Sequence, residues 1–389
     1  MRVAIFVTHP IQYYAPLFRD LSTRVDLHVF YGQLADAAQQ SQAGFGVGFE
    51  WDVDLMSGYR STILTNVARY PSVDTFVGCD VPNIDKALRC GGFDAVVVFG
   101  WYQKFLLQAI FSAKRLSIPL LVRGDSQLDT PRSVVKRLAK EIIYGAFLRL
   151  FDAAMYVGDK SRAYYDHYNF PRERLFFSPH CVDTHFFAQR SGDAVRRATR
   201  DELGISQTTS VILFSGKLID RKRPIDVVNA VARVRKERPD TVLAIAGSGP
   251  LEDDICREAD RLDVPVHLLG FCNQSKMPAV YAAADVLCLP SQIETWGLVC
   301  NEALACGTPI VVSDLVGCAP DLAADSCVGY TVPVGNCAAL AKALTSVLND
   351  PPPSHKIAAL SERYSIAAAV EGIAGALDAI VNSTSKRGC

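Results

Sequence analysis

DVLCLPSQIETWGLVCNEALACGTPIVVSD, residues 285–314, is the stretch that decides the fold. It opens on a continuous apolar run (285–290), passes through a polar loop, turns helical from Gly297 to Cys306 and closes on a second apolar run (309–314). Short apolar runs without alternation are what strands covered on both faces require. Two such strands joined by a helix make a right-handed parallel crossover. The same unit recurs upstream in VILFSG (211–216), TVLAIAG (241–247) and VHLLGF (266–271), separated by the helical patterns PIDVVNAVARVRKE, LEDDICREADRL and SKMPAVYAAA. It recurs again in the first half in VAIFV (3–7), LHVFY (27–31), AVVVFG (95–100), PLLVRG (119–124) and AAMYVG (153–158). The fold class expected is therefore α/β: two doubly wound parallel-sheet domains facing across a cleft, with ligands beyond the carboxyl ends of the strands. The polar stretch 184–210 reads as the hinge between them, and the Gly-, Ser- and Thr-rich segment 40–80 as an insertion near a site.

Composition agrees with two domains. At about 100–200 residues per domain, 389 residues favour two. Forty basic against 41 acidic residues leave no global bias toward nucleic acid or an anionic membrane. The apolar start MRVAIFV is too short for the core of a secretory leader. The most apolar long stretch, 366–381, carries Glu371 and Asp378 and falls short of the ~18–20 apolar residues of a membrane span. The 12 cysteines form no CxxC pair, so neither a zinc site nor a disulfide scaffold is expected. A cytoplasmic setting is the expectation from these features.

The loops after the strands carry the chemistry. Glu294 lies in the loop after 285–290, and Glu302 comes next in the helix among Leu298, Val299, Cys300, Ala303 and Leu304. A carboxylate in such company needs a partner; a structural ion pair is the plain alternative to a ligand role. Gly297 permits close backbone approach, and the N–H groups of Gly297, Leu298 and Val299 form an anion site at a helix start. After VILFSG comes GKLIDRKRP, where Lys217, Arg221, Lys222 and Arg223 could neutralise a diphosphate without a metal. The alternative, a solvated basic turn, sets cations against the dipole of the next helix. AGSGPLED (246–253) lacks the full dinucleotide fingerprint, and no GxxxxGK[ST] phosphate loop occurs.

On these residues the chain resembles the retaining nucleotide-sugar glycosyltransferases of family 4 (glycosyl transferases group 1), which have the GT-B fold. Glu294 and Glu302 match that family's Glu-x7-Glu pattern, LACGTPIVVSD the segment that usually succeeds it, and GKLIDRK its Gly-Arg-Leu…Lys stretch. The resemblance implies that Gly216, Lys217 and Lys222 hold the donor diphosphate, Glu294 the transferred sugar and Glu302 the ribose. It places the base at Gly270 and Phe271. Lys217 stands where the family has Arg, and Thr295 where it has Gly. The first departure loses a bidentate fork and keeps the charge.

The first half is less explicit. His9 comes after the first strand, and Arg123 and Asp125 end another; these are the acceptor-side candidates, with a mutual ion pair the structural alternative for the last two. SPHCVDTHFF (178–187) resembles the family's Pro-Asn-Gly-Val-Asp crossing, with Asp183 read as structural and His180 as a further candidate. Asp52-x-Asp54 is a weak metal motif, and no metal or other cofactor is expected. Trp51, Tyr59 and Trp101 read as core aromatics or as an acceptor groove. The basic helical stretch 131–151 reads as a solvent-facing domain helix, or as a peripheral contact with an anionic membrane.

The domains expected are 1–185 for the acceptor, 186–365 for the donor, and 366–389 as a C-terminal helix and tail packing back across them. The activity expected is retaining, metal-independent transfer of a sugar from a nucleoside-diphosphate sugar to a hydroxyl of a glycan, lipid-linked or small-molecule acceptor. The alternatives are a non-catalytic nucleotide-sugar-binding subunit and a nucleotide-sugar epimerase of similar fold.

Overall fold

The computed structural model of the chain describes residues 1–34, 48–129, 134–326 and 328–385. Arg132 of the basic stretch, Cys327, and the last four residues of the STSKRGC tail lie outside the described residues.

Both expected sheets are present. The first is built from β1 (Arg2–Val7), β2 (Asp26–Tyr31), β3 (Arg60–Ile63), β4 (Ala95–Phe99), β5 (Leu120–Gly124), β6 (Ala153–Tyr156) and β7 (Leu175–Phe177), in the order β3-β2-β1-β4-β5-β6-β7. The second comprises β8 (Ser210–Ser215), β9 (Thr241–Ala246), β10 (Val266–Gly270), β11 (Val286–Leu289), β12 (Ile310–Ser313) and β13 (Gly329–Val332), in the order β10-β9-β8-β11-β12-β13. Every pairing is parallel, in registers such as Val3↔Ala95 and Val286↔Ile212. In each sheet the strand order reverses once, between β1 and β4 and between β8 and β11. Doubly wound sheets open their ligand crevice at that reversal.

The chain divides into two compact units. Among the described residues the first comprises 1–34, 54–180 and 366–385, and the second 48–53 and 181–365. The first core centres on Phe6, Phe30, Val96, Val98, Phe105 and Phe151, with Phe6 stacked on Phe30 at 5.1 Å. The second centres on Phe214, Val227, Val231, Leu243, Ile245 and Val286. Each such side chain contributes about 1.5–3 kcal/mol by leaving water. Trp101 sits in the first core among Tyr144, Phe147, Phe151 and Tyr164. Tyr59 bonds to Tyr31 Oη at 2.6 Å and packs on Phe18. Lys140, counted on a basic solvent face, instead lies over the rings of Tyr144 and Tyr164, 4.6 Å from each.

The stretch 184–210, expected to be the hinge, belongs to the second unit. Its helix Asp193–Glu202 carries Arg200, which is fully buried. The Arg200 guanidinium donates to the carbonyls of Ala283 (2.9 Å), Ser206 (3.2 Å), Gln207 (3.1 Å) and Thr209 (2.9 Å), and to Asp285 Oδ2 (2.9 Å). Arg196 bonds the other oxygen of Asp285 at 2.6 Å. Polar composition suggested solvent there, whereas the polar groups satisfy one another inside.

The long helix Ile366–Ser385 belongs to the first unit. Ala369, Val370, Ile373, Ala376 and Leu377 recur at helical spacing and are buried, while Glu371 and Asp378 face solvent. The helix packs on Tyr14–Leu21, β6 and β7. Ser178 Oγ donates to Ala369 O at 2.9 Å, and Arg24 pairs with Glu371 at 2.9 Å. Among the described residues no helix is long and apolar enough to cross a membrane.

The first unit also carries a pH dependence. His28 on β2 stacks on Phe30 at 4.2 Å and bonds to Thr62 Oγ1 at 2.8 Å. Burial, aided by Arg60 and Arg2 and opposed by Asp26, lowers its imidazole to about 4. Burial also lowers His9 to about 4, against the pull of Asp74. An unfolded histidine titrates near ~6.5. Between those values the unfolded chain binds protons that the folded chain refuses, so stability rises with pH across the window. The contribution is complete above about pH 6.5 and is lost as pH falls toward 4. Thermal unfolding monitored from pH 7 to 4.5 should therefore fall less steeply in His28→Asn than in the parent chain; parallel curves would exclude His28 as a source.

Candidate functional site

The loops after β8 and β11 flank the strand-order reversal of the second sheet. The first runs through Gly216 and Lys217 into a single 3-10 turn, Asp220–Lys222, before the helix Pro224–Val234. It is pinned to the end of β9 by Gly216 N donating to Ala246 O (2.9 Å) and to the loop beyond by Leu218 N donating to Ser248 O (3.0 Å). The second loop is stitched to it by Gln292 N donating to Arg221 O at 2.8 Å. Across this junction Lys222 Nζ donates to Glu294 Oε2. The two side chains are 16% and 17% exposed, so the pair is mostly desolvated yet reachable. Two of the sequence candidates are thus brought into direct contact.

Glu294 is held from behind by the loop after β12. It forms an isolated parallel bridge with Val316, its carbonyl accepts from Gly317 N at 2.9 Å, and Trp296 O accepts from Cys318 N at 3.0 Å. A Cβ at Gly317 would stand 1.9 Å from Thr295 O, which no side chain can do without moving the Glu294 loop. Gly317→Ala should therefore displace the Glu294 loop and lower the unfolding midpoint; a midpoint unchanged in thermal unfolding would show that the loop absorbs the methyl group. Gly297, with φ 100°, turns the chain into the helix Leu298–Ala305. The first N–H groups of any helix, here those of Leu298 and Val299, have no intrahelical acceptor.

Glu302 is 3% exposed, one turn inside that helix. Tyr281 Oη donates to Glu302 Oε2 at 2.6 Å and also lies 3.5 Å from Ser215 Oγ at the end of β8. The hydroxyl gives the buried carboxylate a neutral partner. Tyr281, on the helix Met277–Ala283, is a positioning residue that sequence reasoning did not single out. Its only signal was a polar tip within an otherwise apolar helix.

Gly270 ends β10 with φ 64°, and Phe271 is the next residue. The Phe271 ring is covered by Phe49, with ring centroids 4.2 Å apart. Arg223, read as part of a four-cation cluster, is instead paired with Asp226 in the first turn of its helix, at 2.5 and 3.2 Å. Asp226 is the answer to the cation placed against that helix dipole.

In the first unit His9 lies just past β1, its Nδ1 2.9 Å from Thr8 Oγ1, and with its imidazole lowered to about 4 by burial it is neutral at pH 7. Arg123 is 3% exposed, and the ion pair with Asp125 considered for it is not its anchorage. Its Nε donates to Ser178 Oγ (3.1 Å) and its Nη2 to Pro179 O (2.6 Å), so it fixes the chain where the first unit ends. Asp125 faces His180 Nε2 at 3.8 Å; burial pushes that imidazole below its ordinary value, against the pull of Asp125. Asp183 caps the helix Thr184–Ala188 by accepting from Phe186 N at 2.9 Å. The Asp-x-Asp pair is split: Asp52 accepts from Ser275 in the second unit, whereas Asp54 accepts from Met56 N (2.9 Å) and Ser57 N (3.0 Å) in the first.

Residues 195–363 match the family described as glycosyl transferases group 1. A GDP-mannose-dependent monoacylated alpha-(1-6)-phosphatidylinositol monomannoside mannosyltransferase of Corynebacterium glutamicum is 32% identical over 163 residues, 40% of this chain and 42% of that protein. A GDP-mannose-dependent alpha-(1-6)-phosphatidylinositol monomannoside mannosyltransferase of Mycolicibacterium smegmatis is 30% identical over 237 residues, 59% of each chain. The matches thus span less than two thirds of these relatives. Among solved structures, HepE of Anabaena in complex with UDP superposes with a TM-score of 0.71 at 16% identity, over 97% of this chain and 100% of that one. Likeness at that identity concerns the fold. The matched stretch contains Lys217, Lys222, Glu294 and Glu302, and it runs from the helix Asp193–Glu202 to Ser354–Arg363. The chain has the GT-B fold, and its residues 195–363, most of the second unit, match the glycosyl transferases group 1.

Proposed function

We propose that the protein is a retaining, metal-independent glycosyltransferase of family 4, which moves a sugar from a nucleoside-diphosphate sugar to an acceptor hydroxyl. The observation that carries this reading is the Lys222–Glu294 pair at the strand-order reversal. A cation there meets the leaving diphosphate, and a carboxylate beside it meets sugar hydroxyls. An ammonium has three N–H donors, so Lys222 can hold Glu294 and a phosphate oxygen together. Lys217 and the helix start at Gly297, Leu298 and Val299 add positive potential where charge develops on the leaving group. Glu302, fixed by Tyr281, takes the ribose hydroxyls, and Gly270 with Phe271 takes the base. Acceptor recognition would fall to the carboxyl-end loops of the first sheet, with His9, Arg123 and Asp125 the candidates for it. The phosphatidylinositol monomannoside mannosyltransferases among the relatives support a glycan or lipid-linked acceptor.

The test is a thermal-shift panel of UDP, GDP, ADP and TDP, with NAD as control, all in chelator. A ligand at about 100 times its dissociation constant adds ~2.7 kcal/mol to stability. One nucleoside diphosphate should stabilise the parent chain and fail to stabilise Glu302→Gln. No shift with any diphosphate would overturn the donor site.

A further inference from the structure

Residues 48–53, from the first half of the sequence, belong to the second unit. Phe49 is 9% exposed, its ring 4.2 Å from that of Phe271 with 34° between the planes, and Trp51 meets it edge-on at 5.0 Å. The segment is fastened on both sides of Trp51. Asn273 Nδ2 donates to Glu50 O at 2.7 Å, and Asn273 Oδ1 lies 3.5 Å from Asp52 N. The Asp52 carboxylate accepts from Ser275 N at 3.2 and 3.3 Å and from Ser275 Oγ. All of these anchors lie in the loop that leaves β10, within four residues of Phe271.

That loop offers a ligand an approach. A Cβ at Gly270 would meet nothing within 4 Å, so the backbone beside Phe271 is open on one side. A loop aromatic adopts the rotamer its neighbours impose, and an offset aromatic contact fixes the orientation of both rings. Phe49 is the neighbour that does so for Phe271. We infer that residues 49–52 belong to the donor site as a strap, in which Phe49 sets the Phe271 ring for a nucleobase and Asp52 holds Phe49 in place. Phe49 and Asp52 are positioning residues, and they act on the nucleoside part of the donor and not on its diphosphate. The strap's role rests on the donor site proposed for this unit.

The experiment measures dissociation constants of UDP, GDP, ADP, TDP and inorganic pyrophosphate by calorimetry, in the full chain and in Phe49→Ala, Phe49→Tyr and Asp52→Asn. Phe49→Ala should weaken the preferred nucleoside diphosphate on the order of tenfold and narrow its preference over the other bases, with pyrophosphate unchanged. Phe49→Tyr should restore most of the loss. Asp52→Asn, which keeps the size of the side chain and can still accept from Ser275, should fall between and serves where Phe49→Ala does not fold. Equal weakening of nucleotides and pyrophosphate would make the strap structural only, and unchanged or tighter nucleotide binding in both Phe49→Ala and Asp52→Asn would overturn its role. A parent chain that binds pyrophosphate and no nucleotide would instead fail the base assignment at Phe271, and the inference with it.

Discussion

Replacing Lys222 by alanine is expected to lower kcat by about 10²–10³-fold, the cost of removing one fixed donor to developing negative charge. A competing effect must be separated. Lys222 also partners Glu294 where both side chains are mostly buried, so its loss leaves a carboxylate in poor solvent. Breaking a fully buried pair costs about 3–5 kcal/mol and an exposed one about 0–1 kcal/mol; this pair lies between. The double variant Lys222→Met with Glu294→Gln resolves the two effects. It removes both charges, so thermal stability should recover most of what Lys222→Met alone loses. Activity should not recover, because the site then has neither a cation for phosphate nor a carboxylate for the sugar. Steady-state kinetics in chelator, alongside thermal unfolding, check this. Recovery of turnover in the double variant would make the pair a structural one.

The largest stability effect is expected at Arg200. Arg200→Leu should destabilise the second unit by about 3–5 kcal/mol, since it leaves buried acceptors and part of Asp285 unpaired. At roughly 2–4 °C per kcal/mol for a unit of this size, the unfolding midpoint falls by about 6–20 °C. Arg200→Lys should recover little. A single ammonium cannot reach acceptors spread over Ala283, Ser206, Gln207, Thr209 and Asp285, which the planar fork of arginine spans. A midpoint within a degree or two of the parent in Arg200→Leu would show that the network contributes little.

The parallel core was legible because strands covered on both faces must be continuously apolar. β1, β4, β8 and β12 are all of that kind, and each falls within a residue of its expected place. The strands that escaped notice are edges. β3 is largely exposed, β7 is only three residues long and partly buried, and β13 mixes Gly, Tyr, Thr and Val, so none presents a long apolar run. Glu294 and Lys222 could be found because a carboxylate and a cation stood just past strand ends. Other partnerships inside the second unit were invisible for different reasons. Tyr281 reads as one more apolar residue of its helix, and Arg200 reads as a solvent charge until its acceptors are seen. Phe49 and Asp52 contact a loop more than 200 residues away, and no local pattern reports a partner so distant.

The helix Ile366–Ser385 has a consequence for how the molecule is made. It completes the first unit, yet about 185 residues of the second are synthesised between it and His180. At roughly 5–20 residues per second, the first sheet waits about 10–40 s on the ribosome with β6, β7 and the helix Tyr14–Leu21 lacking their cover. The second unit, by contrast, has nearly all of its parts in one unbroken run and can close before the first does. The usual order of vectorial folding is thereby inverted. A shortened C-terminus would injure not the neighbouring unit in sequence but the one made first, by exposing apolar surface on a nascent chain during the interval when a chaperone would have to hold it.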